Sequence, residues 1–416
     1  MNGEILFLAH RLPFPPDRGD KIRSHHILQR LAEIAPVHVA TFADTEGDWA
    51  YEGDLARLCA SHCLVERDKN LAVAGMEALL HREPVSLAAF RHAAIKHYVA
   101  ELLASRPIAT IYVFSGQMGQ YVPHSFEGRV VVDLVDVDSA KFEAYASGKP
   151  WPMRWVDARE GRLLAAEEER LSLRARHTLL VSEAEAELLR SRLVSPSEAQ
   201  VSALRNGIDA DFFNPAQTEP EPSMAAGKGP HLVFTGQMDY APNVAAALRV
   251  IENILPTIRQ IHPEAQFHVV GRAPVRALSV LDGKAGVRVW GAVPDVRPFL
   301  AAADIALTPL DIARGVQNKV LEAMAMARPV ILTPGAATGI EAEDGIHFAI
   351  EESDAALAAR TLALLANRGA MQAMGKAARQ FVLDRQSWPA MLAELPRIVG
   401  FAPERAKGKG GHRDAA

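Results

Sequence analysis

Short β-branched apolar runs alternate with longer helix-patterned stretches along almost the whole sequence, and that alternation leaves few folds open. In the second half the order is clean. "HLVFTG" reads as a strand and "VAAALRVIENILPTIRQIH" as a helix. "AQFHVVG", "VRVWG", "DIALTPL" and "PVILTP" then read as strands separated by helical stretches, and "HFAIEE" as a last strand. Continuously apolar strands alternating with helices predict a parallel sheet covered on both faces. The first half repeats the style with "EILFLAH", "VHVATFA", "TIYVFS", "VVVDLVD" and "HTLLVS". A chain of 416 residues exceeds one ordinary core and suits two domains of roughly 200 residues each. The expected fold class is therefore α/β, with two doubly wound, Rossmann-like domains.

Composition narrows the function classes. Hydrophobic residues make up 49% and charged residues 23%, which reads as globular rather than disordered. A net charge of -5 gives no basic field, so no nucleic-acid partner is expected. No run approaches the roughly 20 apolar residues that span a bilayer. "MNGEILFLAHRLPF" reads as a first core strand rather than a signal peptide. Cys59 and Cys63 form no disulfide framework and fit a reducing cytoplasm. His62 lies between them, but zinc wants four ligands or three plus water, and no further pair stands out.

The stretch "RGVQNKVLEAMAMARPVIL" is the first candidate site. Gly315, Val316, Gln317 and Asn318 lead into a helix, whose N-terminus offers unpaired N–H groups and a positive dipole end. Gly315 lets backbone approach a ligand. Lys319 places a cation in the first turn, where the dipole alone prefers an acid, so it suggests a grip on a diphosphate. Glu322, three residues on, shares that face and could accept hydrogen bonds from ribose hydroxyls. An ordinary surface ion pair is the other reading of Lys319 and Glu322. Val320, Met324 and Ala327 lie at helical spacing and should face the core.

These residues, with "FTGQMDYAPNVAA", "VVGRAP", "VRVWGAVPDVRPFLAAADIALTPL", "LRNGIDADFFNP" and "RQFVLDRQSWPAML", resemble the group 1 (family 4) glycosyltransferases of the GT-B fold over nearly the whole chain. With "VVVDLVDVDSAKF" and "HRLPFPPDRGDKIRSHHIL", the sequence is closer still to sugar transferases associated with PEP-CTERM/exosortase exopolysaccharide loci. The resemblance implies two domains facing across a cleft and transfer of a sugar, with retention of configuration and without metal or cofactor. The donor would be a nucleotide-diphosphate sugar and the acceptor a glycan or polyprenyl-linked molecule. It implies residues 1–210 as the acceptor-side domain, with a C-terminal helix at 385–400 packing back on it. Residues 211–384 would be the donor domain and 401–416 a disordered tail. Asp209–Pro230 would be the linker.

Roles carry over where positions match. Glu322 matches the second glutamate of the family's paired motif, a ribose contact. Gly315 to Asn318 match the loop beside the sugar and diphosphate. Val293 matches the backbone contact to the base, and Gly236 a glycine close to the phosphates. The first glutamate of the pair is replaced by Arg314, which could favour an acidic sugar through a bidentate carboxylate contact. The arginine and lysine that many members place after the first donor-domain strand are also missing, leaving Lys319 and Arg314 to neutralise the diphosphate. In the first domain, Gly19 matches a glycine that approaches the donor phosphates, on a helix carrying Lys21 and Arg23. A plain strand–helix turn with a basic surface is the other reading.

"VVVDLVDVDSAKF" carries Asp133, Asp136 and Asp138 at a strand end. Strand alternation would point Asp133 and Asp136 opposite ways. Asp136 is the better placed as general base for the acceptor hydroxyl or as stabiliser of positive charge on the sugar, with Lys319 stabilising the departing diphosphate. Asp138 could cap the following helix. "DVD" also fits a short Asp-x-Asp metal pattern, which GT-B enzymes do not generally need. "KPWPMRWVDAREGRL" sets Trp151, Met153 and Trp155 among Lys149, Arg154 and Arg159. That mixture suits an anionic membrane surface, or aromatics packed on the first domain. The expected place is the cytoplasm, at the inner face of the membrane if those side chains meet lipid. Three rivals are a nicotinamide dehydrogenase, which lacks its glycine fingerprint here, an exported solute-binding protein, and a nucleotide-sugar epimerase of the same fold.

Overall fold

The structure is a computed structural model that describes residues 3–147, 150–311 and 315–401. Arg314, Lys149 and the expected tail from 402 on lie outside the described residues. The chain divides into two compact units. One comprises residues up to Asn206 together with those from Leu392 on, the other Gly207–Met391.

The first unit holds seven strands: β1 (Glu4–Ala9), β2 (Val37–Ala43), β3 (Ser61–Glu66), β4 (Ile108–Phe114), β5 (Arg129–Val135), β6 (His177–Leu180) and β7 (Val201–Ala203). They pair in parallel in the order β3-β2-β1-β4-β5-β6-β7. All seven residues of β2 are buried, as expected of a strand covered on both faces. Four helices of this unit matter below: α1 (Gly19–Ile34), α2 (Leu71–His81), α3 (Asp138–Ser147) and α4 (Met153–Arg174).

The second unit holds β8 (His231–Thr235), β9 (Gln266–Val270), β10 (Val287–Gly291), β11 (Ile305–Thr308), β12 (Val330–Leu332) and β13 (Ala349–Ile350). Their parallel order is β10-β9-β8-β11-β12-β13. This unit has its own apolar core, centred on Phe234, Phe267, Ile305, Met324 and Phe348. Its helices α5 (Ala241–Arg249) and α6 (Asn318–Ala325) start near the carboxyl ends of β8 and β11. A last short helix, α7 (Leu395–Ile398), belongs to the first unit and packs on α1.

Three expectations change. The stretch expected as linker belongs with the second unit, because Met224 is buried in its core and the Glu221 N–H donates to Pro298 O at 2.9 Å. The helix after Lys319 ends at Ala325, so Ala327 does not continue its buried face. Ala327 instead turns left-handed (φ 54°), and the Arg328 N–H closes the helix end onto Ala323 O. Lys21 and Arg23 are no basic surface. Lys21 pairs with Asp48 at 2.7 Å, and fully buried Arg23 pairs with fully buried Asp133 at 2.9 Å. Arg23 also donates to Leu204 O and Asn206 Oδ1, and the Tyr112 hydroxyl donates to Asp133. Every polar atom of that buried pair thus has company, which a buried charge requires.

Candidate active site

In an open parallel sheet, ligands bind outside the carboxyl ends of the strands where the order reverses. In the second unit that point lies between β8 and β11. A cavity of about 640 Å³ opens there, within the usual range for small-molecule sites. Gly236, Gly271, Val293, Gln317, Lys319 and Glu322 are among the residues that line it. Val316 and Asn318 line it too, so the loop and helix start expected to hold a donor do face a pocket. Gly315 (φ 71°) turns the chain into that loop and is not part of the wall.

Two glycines open the wall. Gly236 follows β8 with φ 153°, and a Cβ there would stand 2.9 Å from Lys319 Nζ and from Asn243 Nδ2. Gly271 follows β9 with φ 154°, and its Cβ would fall 1.6 Å from Gly236 O. Only glycine allows the two strand ends to approach this closely. Gly271 was not picked out from the sequence, although "VVGRAP" repeats the strand-plus-glycine pattern of "FTGQM".

Lys319 extends from the first turn of α6 into the pocket. Its Nζ donates to Asn243 Oδ1 at 2.5 Å and lies 4.4 Å from the centre of the Phe234 ring. Asn243 is itself buried in the first turn of α5, where its Nδ2 donates to Gln237 O at 2.9 Å. Desolvation pulls the Lys319 ammonium down to about 8, with Glu322 partly opposing the shift. Burial pushes the Glu322 carboxyl up to about 7, with Lys319 opposing. Among the described residues, no group donates to the Glu322 carboxylate, while its backbone O accepts from Met326 N. The helix start has no side-chain cap, since Gln317 stands at the N-cap without capping it. The pocket therefore offers a desolvated cation, uncapped backbone N–H groups and a carboxylate one turn further in. An anion beside Lys319 would stabilise its charge, and hydroxyl groups would satisfy Glu322.

Arg272 is a second cation at this pocket. It lines the same pocket, exposed, with Nη2 donating to Gln237 Oε1 at 3.0 Å. Neither Asn243 nor Arg272 was singled out from the sequence. The only signals were an asparagine at the helix start in "YAPN" and a base directly after a strand-ending glycine.

Gly19 and Asp136 belong to the first unit. Gly19 opens α1, and a Cβ there would meet nothing within 4 Å, so the packing of this unit does not require glycine. Asp20 in the same turn pairs with Arg11 at 2.7 Å and Arg18 at 3.1 Å. Val135 takes φ 70° at the end of β5, which breaks the alternation assumed between Asp133 and Asp136. Asp133 is buried under the sheet end, while Asp136 lies beyond it and pairs with Lys141 Nζ at 2.9 Å. Asp138 shares that lysine at 3.1 Å. Among the described residues, no group of three or more His, Cys, Asp or Glu side chains is placed to hold a metal ion. Cys59 and Cys63 are both free and half-buried, and burial pushes the Cys59 thiol up to about 11.

Residues 229–367 match the family described as "Glycosyl transferases group 1". None of the curated proteins matches the sequence. Several solved structures share the fold. Sucrose-phosphate synthase from Thermosynechococcus elongatus is 15% identical, with a TM-score of 0.57 over 95% of this chain and 98% of that one. HepE from Anabaena, in complex with UDP, is 14% identical, with a TM-score of 0.56 over 95% and 98%. WaaG, a glycosyltransferase involved in lipopolysaccharide biosynthesis, is 18% identical, with a TM-score of 0.55 over 95% and 100%. The chain thus has the GT-B fold, and residues 229–367 are similar to the group 1 glycosyltransferases.

Proposed function

We propose that this glycosyltransferase moves a hexose-type sugar from a nucleotide-diphosphate sugar to a glycan or lipid-linked acceptor, with retention of configuration and without a metal ion. One observation carries the reading: a desolvated lysine at an uncapped helix start shares a pocket with an unpartnered carboxylate. HepE, of the same fold, has been solved with UDP and with UDP-glucose. Lys319 and the α6 N-terminus take the diphosphate, Glu322 the ribose hydroxyls, and the backbone at Val293 the base. Gly236 allows the phosphates to come close, Arg272 adds charge at the rim, and the loop Gly315–Asn318 borders the sugar. Arg314 is proposed beside the sugar, with an acidic sugar as its counterpart.

In the reaction, the anomeric carbon–oxygen bond breaks and the diphosphate leaves with the electron pair. The acceptor oxygen bonds to the same carbon on the same face. Its proton passes to a carboxylate, for which Asp136 is proposed. Lys319 and the helix start stabilise the charge that develops on the leaving group. Gly19 is proposed to leave room for phosphate at the start of α1. The biological setting proposed is exopolysaccharide or cell-surface polysaccharide assembly, of the PEP-CTERM/exosortase-associated kind, at the cytoplasmic face of a membrane.

Thermal-shift titration with UDP, GDP, ADP, CMP and NAD, with and without magnesium, tests the donor site. A ligand that binds only the folded state must raise the melting temperature. One nucleoside diphosphate should shift it, indifferent to magnesium, and Glu322→Ala should remove the shift. A shift with NAD alone, or with no nucleotide at saturation, defeats the reading. With a donor in hand, Asp136→Asn should lower turnover strongly and leave donor affinity intact. Product analysis should show free nucleoside diphosphate and a glycoside, not an epimerised nucleotide sugar.

A further inference from the structure

Helix α2 is built inside out. Its buried positions are the small residues Ala74 and Ala78, one turn apart. Its opposite face carries Val73, Met76, Leu79 and Leu80, and the last three are 65%, 57% and 79% exposed. In a water-facing helix the large apolar side chains turn inward and polar ones outward; here the order is reversed.

A second group of exposed apolar side chains lies alongside. Trp151 is 81% exposed and Trp155 52%, and Met153 and Val156 are exposed too. The aromatics expected either at a membrane or packed on the first unit are therefore not packed. Arg159 fixes the link between the two groups. Its Nη2 donates to Ala78 O at 2.9 Å, and its Nη1 to Glu83 O at 3.2 Å. Trp155 stands one turn before Arg159 on α4, so the same helix face carries both. Arg162 lies one further turn along that face and is exposed. Isolated exposed apolar residues are ordinary, but large ones grouped on two elements tied together by Arg159 mark a surface that something covers.

Charge decides what covers it. The acids within and after α2 are already paired, Glu77 with Lys69 at 2.8 Å and Glu83 with Arg91. Arg82 and Arg154 are exposed and, among the described residues, have no acidic partner. Arg82 closes α2, and Arg154 lies between Met153 and Trp155. The exposed acids Glu66 and Asp68 belong to the segment leading into α2. Tryptophan, leucine and methionine with unpaired arginines at their border match the boundary between lipid headgroups and acyl chains. The apolar tips enter it while the arginines meet lipid phosphate.

We propose that the outward face of α2, with Trp151, Met153 and Trp155, seats the first unit on an anionic phospholipid membrane. This gives the membrane contact of the proposed function a defined surface, and rests on that reading only for its purpose. Among the described residues, no helix is long and apolar enough to cross a membrane, so the contact lies at the interface.

Flotation of the full chain with phosphatidylglycerol–phosphatidylcholine vesicles tests it, with pure phosphatidylcholine as the neutral comparison. The wild type should float with the anionic vesicles, and less at high salt. Met76→Glu with Leu80→Glu should lower vesicle partition at least roughly tenfold. Val194→Glu, at another exposed apolar position of this unit, should float like the wild type. Circular dichroism and a two-transition calorimetric melt check that the first unit of the double variant is folded, and neither needs activity. Wild type that floats with no vesicle overturns the proposal, as does a double variant that floats unchanged. If sedimentation shows a dimer that the double variant splits, and vesicles are ignored, the face is a protein interface instead. A thermal shift with none of the nucleoside diphosphates, beside normal flotation, would remove the donor reading and leave the membrane surface standing.

Discussion

Lys319 and Glu322 show how position outweighs residue type. On an exposed helix this pair is worth a few tenths of a kcal/mol. In the pocket, burial holds the lysine near 8 and the glutamate near 7. The signs give a pH window. If Lys319 grips the donor diphosphate as proposed, then above about 8 the free protein loses the proton that an anionic donor needs, so binding must take it up again and affinity falls. Below about 7 Glu322 gains a proton and loses acceptor strength for ribose hydroxyls. Donor affinity should therefore peak between these values. Lys319→Arg keeps a charge at every accessible pH and should flatten the alkaline limb; an unchanged limb assigns it elsewhere. Lys319→Ala should lower kcat about 10²–10³-fold, as loss of one preorganised stabiliser does. Steady-state rates across pH check both.

Elements place these residues through backbone geometry at strand ends. Gly271 and Gly19 make opposite predictions from the same substitution. Gly271→Ala forces a Cβ onto Gly236 O, at 1.6 Å in the unrelaxed backbone. Its strained φ adds to the clash, so this variant should destabilise the second unit severely. Gly19→Ala meets no atom of the chain and should keep the wild-type melting temperature. If phosphate does approach there, Gly19→Ala should still lose turnover. Thermal melts beside steady-state rates separate the two cases, and an unaffected rate removes Gly19 from the site.

At the scale of the molecule, the division into units is not a simple cut of the chain. Residues 207–391 are continuous and carry a complete six-stranded sheet and core. Expressed alone, that segment should fold and keep its nucleotide-dependent thermal shift. The first unit needs the end of the chain. Leu395, Ile398 and Val399 are buried there, Thr110 Oγ1 donates to Val399 O at 2.9 Å, and Arg129 donates to Ile398 O at 3.2 Å. A chain stopped after Met391 should lose the cooperative melt of the first unit while the second persists. Two-transition calorimetry measures this, and an intact first transition would count against the assignment.

The sequence by itself determined the α/β class, the parallel sheets and most strands, because the period of apolar residues is a local property that burial on both sheet faces imposes; the half-buried β3 and the three-residue β7 lack that signal. The family resemblance pointed to Gly236 and Val293, and the residues themselves to the loop and helix from Gly315 to Glu322; all but Gly315, Val320 and Leu321 of these line one pocket. Tertiary structure alone decided what those segments meet. Asn243 reaches Lys319 from another helix, Arg272 comes from another strand end, and Arg23 finds Asp133 across the first unit. The same holds for Trp290, which donates to His268 across neighbouring strands, while His268 bonds His231. Such pairings depend on which chain segments are brought adjacent, and periodicity along one segment carries no record of that. The exposure of Met76 and Leu80 is the converse case. Only the packing of Ala74 and Ala78 inward leaves these large apolar side chains facing outward.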